Sequence, residues 1–109
     1  MPAVGLGDGD YLLGARAVQV RDGVARLAGG GSIAGSTLTQ DAALRNAVAA
    51  GVALGDAVSA LTAVPARALG VDAGSLDAGR PADLVVMSTD LKVTAVMYHG
   101  DWIAQHLAV

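Results

Sequence analysis

Apolar and polar residues change rhythm along the chain. From Ala15 to Arg21 they alternate, with Val18 and Val20 on one side and Gln19 and Arg21 on the other. That is the period of a strand with one buried face. Tyr11 to Leu13 reads as a short strand before it, and Asp22-Gly23 is a turn signal that sends the chain back along Val24 to Leu27. A hairpin is predicted over residues 11–27. From Leu38 to Ala50 the period lengthens, because Leu44, Ala47 and Val48 recur at helical spacing, and Gly51 stands where a left-handed residue closes a helix. A second helix is predicted from about Gly55 to Ala63, with Ala57, Val58 and Leu61 on its inner face. Pro65 opens a further helical turn that Gly70 ends. Beyond it, Ser75-Leu76, Asp83 to Met87, Val93 to Tyr98 and Trp102 to Leu107 read as short strands. Asp77 to Pro81 is a turn and His99-Gly100 a hairpin tip. The order of hairpin, helices and strands makes this an α/β chain, without an internal repeat or a linker.

Between the hairpin and the first helix lies Gly29-Gly30-Gly31-Ser32-Ile33-Ala34-Gly35-Ser36-Thr37-Leu38-Thr39. Thr37 to Gln40 has the T-x-x-Q form of a capping box, which predicts the helix start there. Two readings fit the glycines. Lacking a Cβ, they let backbone approach a ligand closely, next to a helix start with unpaired N–H groups, and so suit an anionic or oxygen-rich ligand. Equally, they turn a corner. Gly29-x-Gly31-x-x-Ala34 fits a loose dinucleotide pattern, but that pattern needs a strand after the helix, and a second helix comes instead. No Gly-Lys-Ser/Thr follows, so the stretch is not a P-loop. Residues 1–9, with three glycines and Asp8-Gly9, read as a loop.

Composition narrows the classes. The chain has 109 residues, enough for one small domain or part of a larger one. Its 53% apolar content is rich in alanine and contains no Phe, so its core is shallow and suits packing against something bigger. The net charge is −3 and no basic run occurs, which argues against a nucleic-acid surface. Every apolar stretch is broken before it reaches the length of a membrane span, and no signal peptide is evident, so a cytoplasmic location is expected. The absence of cysteine excludes disulfides and thiolate metal sites.

Candidate chemistry is sparse. His99 and His106 are the only histidines and lack a compact ligand spacing; His99 reads as a turn residue and His106 as a tail residue. Ser36 and Thr37 read as helix-capping groups or ligand donors rather than nucleophiles, since no G-x-S-x-G elbow is present. Asp8, Asp10 and Asp22 fall in turns, Asp41 and Asp56 in first helical turns, and Asp72, Asp77 and Asp90 in loops. Each has a structural role open to it, and none stands out as a base.

The run Gly31 to Thr39, followed by Leu44-Arg45-Asn46, resembles N-acetylglucosamine-6-phosphate deacetylase. Thr62 to Gly70, and Gly74-Ser75-Leu76-Asp77-Ala78-Gly79-Arg80-Pro81-Ala82-Asp83-Leu84-Val85-Val86, are similar to motifs spread through the amidohydrolase superfamily. The resemblance covers nearly the whole chain. It implies the C-terminal part of a metal-dependent (β/α)8 barrel enzyme with a small β-sandwich domain. Residues 1–70 would hold the last part of the barrel: the hairpin 11–27, the Gly-rich substrate loop 29–36 and the helices 38–69. Residues 71–109 would hold C-terminal strands of the β domain. Ala34, Gly35 and Ser36 match a loop lining the sugar-phosphate site, which makes them substrate-binding residues acting through backbone groups and one hydroxyl.

In such an enzyme one or two divalent metals, zinc or similar, supply the attacking water, and an Asp in a Thr-Asp-Ala segment acts as base and then acid. By the resemblance that Asp falls two residues before Met1, and the metal ligands lie earlier still. The expectation is therefore a chain with no catalytic residue and no metal ligand of its own, inactive alone. Its partners would be a sugar-phosphate substrate and a barrel segment preceding it, within a homo-oligomeric parent enzyme. The products would be glucosamine 6-phosphate and acetate. Two alternatives stay open. One is a non-catalytic binding or assembly module; the other is the tail of a dihydroorotase-like or imidazolone-type amidohydrolase.

Overall fold

In the computed structural model, which describes residues 2–105, the alternating segment becomes the middle strand of a sheet. The described residues divide into two units, one reaching to Thr39 and the other beginning at Gln40. In the first, β1 (Gly9–Leu13), β2 (Arg16–Arg21) and β3 (Val24–Leu27) form an antiparallel meander in chain order. The expected hairpin thus has three strands and begins two residues early, because Gly9 and Asp10 pair with Val20 and Gln19. Val18 and Val20 are each 1% exposed and pack with Ala3, Ala25 and Ala34, flanked by Tyr11 and Leu27. Burying each valine is worth about 1.5–3 kcal/mol, a large share of what so small a core can gather. Gln19 and Arg21 face water, as the alternation predicts.

The triple glycine turns a corner. Leu27 donates its N–H to the Ser32 carbonyl at 2.9 Å, Ala34 donates to the Ala25 carbonyl at 2.9 Å, and Ile33 bridges Arg26. Residues 32–34 therefore run back along β3. The capping box expected at Thr37 does not form, and α1 (Gln40–Ala49) starts after it. The Thr37 hydroxyl instead donates to the Gly23 carbonyl, and Ser36 Oγ accepts the Leu38 N–H at 3.0 Å. The hydroxyl could still accept an N–H, but the helix starts three residues further on, so Thr37 does not stand at the capping position.

In the second unit α1 packs against α2 (Leu54–Leu61), and α2 against α3 (Ala63–Leu69), with Leu44, Ala57 and Ala66 buried. α2 stops at Leu61 because Thr62 leaves helical geometry (φ −128°, ψ −86°), and its hydroxyl donates to the Val58 carbonyl at 2.8 Å. Val58, expected on the inner face, is 40% exposed. Pro65 is the third residue of α3, still within the first turn, where its missing N–H leaves no helical bond unmade. Gly70 closes the helix in the left-handed region, as its position predicts.

No strand forms at Ser75-Leu76. Gly74 at φ +82° presses its backbone onto the α2–α3 junction, where a Cβ would lie 2.7 Å from the carbonyl carbon and oxygen of Thr62. Arg80 then gathers the loop by pairing with Asp72 and, at 3.4 Å, with Asp77. A second meander follows, of β4 (Leu84–Met87), β5 (Val93–Tyr98) and β6 (Asp101–Gln105). His106 and Leu107, expected in the tail and the last strand, lie outside the described residues. Among the described residues no helix is long and apolar enough to cross a membrane.

Gly74 and Gly79 separate two costs. Both hold positive φ (+82° and +87°), but a Cβ at Gly79 meets nothing within 4 Å. Each Ala substitution is expected to cost about 1–2 kcal/mol for the left-handed backbone. Gly74→Ala is expected to cost a further ~1–3 kcal/mol for the clash. Urea unfolding of the two variants checks this; equal losses would show that the Gly74 contact does not constrain the fold.

Candidate functional site

The first unit carries a cavity of about 280 Å³, lined by Ala3, Gly5, Gly7, Val20, Gly23, Thr37 and Thr39. Its walls come from three segments, each fixed locally. Ala3 is 1% exposed in the core and accepts the Leu6 N–H at 3.1 Å, which curls the loop. The Tyr11 ring lies over Gly9, where a Cβ would come within 3.2 Å of its hydroxyl. That hydroxyl donates to the carbonyls of Leu6 (3.2 Å) and Gly7 (3.0 Å). The opposite wall is the turn joining β2 to β3. Asp22 (φ 51°) and Gly23 (φ 72°) both take left-handed geometry, the paired form that matches the twist of a two-residue hairpin.

Asp8 joins these two walls. Its carboxylate accepts the Asp22 N–H at 2.7 Å and the Gly23 N–H at 3.0 Å. These bonds, the one from Gly23 first, hold the Asp8 carboxyl below its ordinary value of 3.8, with the Arg21 guanidinium adding to the effect. Gly23 is thereby held from both sides, its N–H by Asp8 and its carbonyl by Thr37. Seven neutral residues line the cavity, with hydroxyls from Thr37 and Thr39 and no ionisable group. Such a lining suits an uncharged, hydroxyl- or amide-bearing part of a ligand, and it offers no acid or base.

Of the three expected substrate residues, Ala34 is 6% exposed. Its methyl is part of the core and its N–H is bonded to Ala25, so contact with a ligand is left to its carbonyl. Gly35 is exposed with φ +93°, and Ser36 is exposed with its Oγ facing the Leu38 N–H. All three lead directly into Thr37 but stand outside the cavity lining. Of the lining residues, the sequence marks Thr37 as a capping group or ligand donor, whereas Gly5, Gly7 and Gly23 carry only turn chemistry and are hidden in it.

The remaining candidates have structural partners. The His99 N–H donates to Asp83 Oδ1 at 2.6 Å, and its ring meets the edge of Tyr98, which makes it the turn residue expected. Asp90 accepts from the Ser88 hydroxyl at 2.6 Å and pairs with Lys92 at 3.5 Å; the Ser88 bond is the largest cause of its lowered pKa, followed by its own backbone N–H and then the Lys92 charge. Arg45 pairs with Asp41 at 2.9 Å and donates to the Leu91 carbonyl at 2.8 Å. Among the described residues no three His, Asp or Glu side chains converge. The donor set of the described residues therefore does not fit a divalent metal.

Comparison with known proteins places these features in a longer context. Residues 13–103 match the model of the amidohydrolase family. The chain is 44% identical over 103 residues to the N-acetylgalactosamine-6-phosphate deacetylase of Escherichia coli O157:H7, which covers 92% of this chain and 27% of that protein. It is 36% identical over 108 residues to the N-acetylglucosamine-6-phosphate deacetylase of Rattus norvegicus, over 96% of this chain and 26% of the relative. Among solved structures, a mutant N-acetyl-D-glucosamine-6-phosphate deacetylase from Mycobacterium smegmatis, in complex with N-acetyl-D-glucosamine-6-phosphate, superposes with a TM-score of 0.84 at 48% identity. That match covers 96% of this chain and 29% of the other. The curated relatives are longer, and the chain spans from 24% to 61% of their length.

The Asp8 and Asp90 shifts fix a sign. A carboxyl whose folded pKa lies below its unfolded value stabilises the fold above the unfolded pKa of 3.8, and that contribution disappears as pH falls through the lowered folded value. Asp8→Asn and Asp90→Asn are each expected to flatten the acid limb of stability against pH. Urea unfolding between neutral pH and pH ~2 measures it. An unchanged acid limb in both variants would show that neither carboxylate is held as described.

Proposed function

The chain belongs to the amidohydrolase family, and from that premise we propose that it forms the C-terminal, substrate-contacting part of a 2-acetamido-hexose 6-phosphate deacetylase. The reaction is hydrolysis of the acetamide of N-acetylglucosamine 6-phosphate to glucosamine 6-phosphate and acetate. One observation carries the reading: the neutral cavity walled by Gly5, Gly7 and Gly23, with Thr37 and Thr39 at its edge, lies in a segment similar to sugar-phosphate deacetylases throughout its length. Ala34, Gly35 and Ser36 are the residues we assign to substrate, Ala34 and Gly35 through backbone and Ser36 through its hydroxyl.

The division of labour follows from the side chains. The described residues of this chain bind and orient, and the zinc-type metal, its ligands and the carboxylate base come from another segment of the enzyme. Residues 1–70 are assigned to the barrel side and residues 71–109 to the small β domain. The second unit supports such a setting. It holds an apolar groove of about 860 Å³ lined by Leu44, Leu61, Leu76, Leu84, Val96 and Met97 among others. A groove of this size and character is a surface for the preceding barrel segment to pack on. We place the enzyme in the cytoplasm, as a homo-oligomer.

Both hexosamine epimers occur in the names of the relatives, with 44% identity to the galactosamine enzyme and 48% to the mycobacterial glucosamine enzyme. The test uses the mycobacterial relative with this chain grafted in place of its matched segment. The graft is expected to release acetate from N-acetylglucosamine 6-phosphate. In the graft, Ser36→Ala is expected to raise KM roughly three- to tenfold with little change in kcat, the effect of one lost substrate hydrogen bond. A folded graft without acetate release would contradict the reading, and so would acetate release by this chain alone with added zinc.

A further inference from the structure

The sequence gives the Gly5–Gly7 loop no stiffness of its own, yet the loop forms one wall of the cavity. Gly5 and Gly7 hold φ of +77° and +80°, and a Cβ on either meets nothing within 4 Å. The loop is anchored from its own side by Ala3 in the core and by the Tyr11 hydroxyl on the Leu6 and Gly7 carbonyls. The facing wall is the Asp22–Gly23 turn, which joins two strands of a fixed sheet. Asp8 follows the loop directly and reaches across fourteen residues of sequence to bond both turn N–H groups. Tyr11 ties the loop's own carbonyls, and Thr37 ties the Gly23 carbonyl. Among the described residues, Asp8 is the side chain at the end of this loop that bonds the facing turn directly.

We propose that Asp8 is the positioning residue of this cavity: its carboxylate holds the Gly5–Gly7 loop and the Asp22–Gly23 turn at the fixed separation that a ligand enters. The significance for substrate rests on the deacetylase reading, but the clamp itself does not. Asp8 is not in the lining, so it acts through the backbone it holds and touches no ligand. Its charged surroundings are simple. Arg21 lies beside it, pairing with Asp10 at 3.1 Å and donating to the Gly9 carbonyl at 3.2 Å. The Asp22 side chain belongs to the turn it grips. Protonating Asp8 removes acceptor strength from both bonds at once, so the loop is expected to loosen from the turn as a unit.

The test is a pH titration of the isotope-labelled 109-residue chain followed by amide and carboxyl NMR, with Asp8→Asn and Asp8→Ala alongside. The amide signals of Gly5 and Gly7, which Asp8 does not bond, are expected to move in step with the Asp8 carboxyl and with Gly23, below the ordinary carboxylate range. Both variants are expected to abolish that shared titration while the Val18 and Val20 signals keep their positions. A merely local cap would move Asp22 and Gly23 and leave Gly5 and Gly7 still, which would overturn the proposal. Persistence of the titration in Asp8→Asn would assign it to Asp10 or Asp22 and overturn it equally. A final arm uses the mycobacterial graft, which supplies the rest of the site. There Asp8→Ala is expected to raise KM for N-acetylglucosamine 6-phosphate roughly tenfold, which supports both the clamp and the deacetylase reading. Shared titration in the chain beside a folded graft that releases no acetate supports the clamp and removes the functional reading.

Discussion

Each sheet depends on one aspartate placed just before its first strand. Asp8 precedes β1 and grips the turn between β2 and β3; Asp83 precedes β4 and grips the turn between β5 and β6. Both turns are pairs of left-handed residues, Asp22-Gly23 and His99-Gly100, with φ of 51° and 72°, then 50° and 87°. A non-glycine residue held at positive φ is strained, and each of these turns sits at a free end of its meander. In an antiparallel meander the start of the first strand lies beside the end of the second, so a carboxylate there meets the turn's N–H groups. Asp8 takes two of them. Asp83 takes the His99 N–H, and the neighbouring Ala82 carbonyl takes that of Gly100 at 3.1 Å. Charge-assisted bonds of this kind are stronger than neutral ones, and here they fix where a sheet's last strand begins.

In the first unit that bond has a second consequence, because the gripped turn is also a wall. Gly23, the Gly5–Gly7 loop and Thr37 enclose a neutral space beside a core of small residues. The core is Val18 and Val20 packed on three alanines, with Tyr11 and Leu27 against it. A shallow core is a weakness for an independent domain and suits a segment whose other faces rest on a larger body. The apolar groove of the second unit and the length of the relatives fit the same picture.

Much of this was legible in the sequence. The alternation at Val18 and Val20, the turns at Asp22-Gly23 and His99-Gly100, the left-handed Gly70 and the strands around Leu84 and Val96 follow from local period and turn chemistry. The misreadings have one physical source, which is a side chain or backbone group recruited from elsewhere. Thr37 has the form of a cap, but its hydroxyl donates to the Gly23 carbonyl and the helix starts three residues further on. Ser75-Leu76 has β character, but Gly74 anchors the loop on Thr62 and Ala63. The site was legible only in outline. The Gly-rich run drew attention, whereas its three consecutive glycines turn a corner. The cavity is walled by glycines scattered at 5, 7 and 23, which only the meander brings together. Asp8 could be read as a turn residue, but not which turn it serves.

The most direct measurement of this account is amide hydrogen exchange at Asp22, Gly23 and His99 near neutral pH. These N–H groups sit in exposed turns and would exchange at the rate of an unstructured chain if nothing held them. The account predicts that all three are protected, because the Asp8 and Asp83 carboxylates accept hydrogen bonds from them. Exchange at the unstructured rate at Asp22 and Gly23, with the Val18 and Val20 amides still protected, would contradict it.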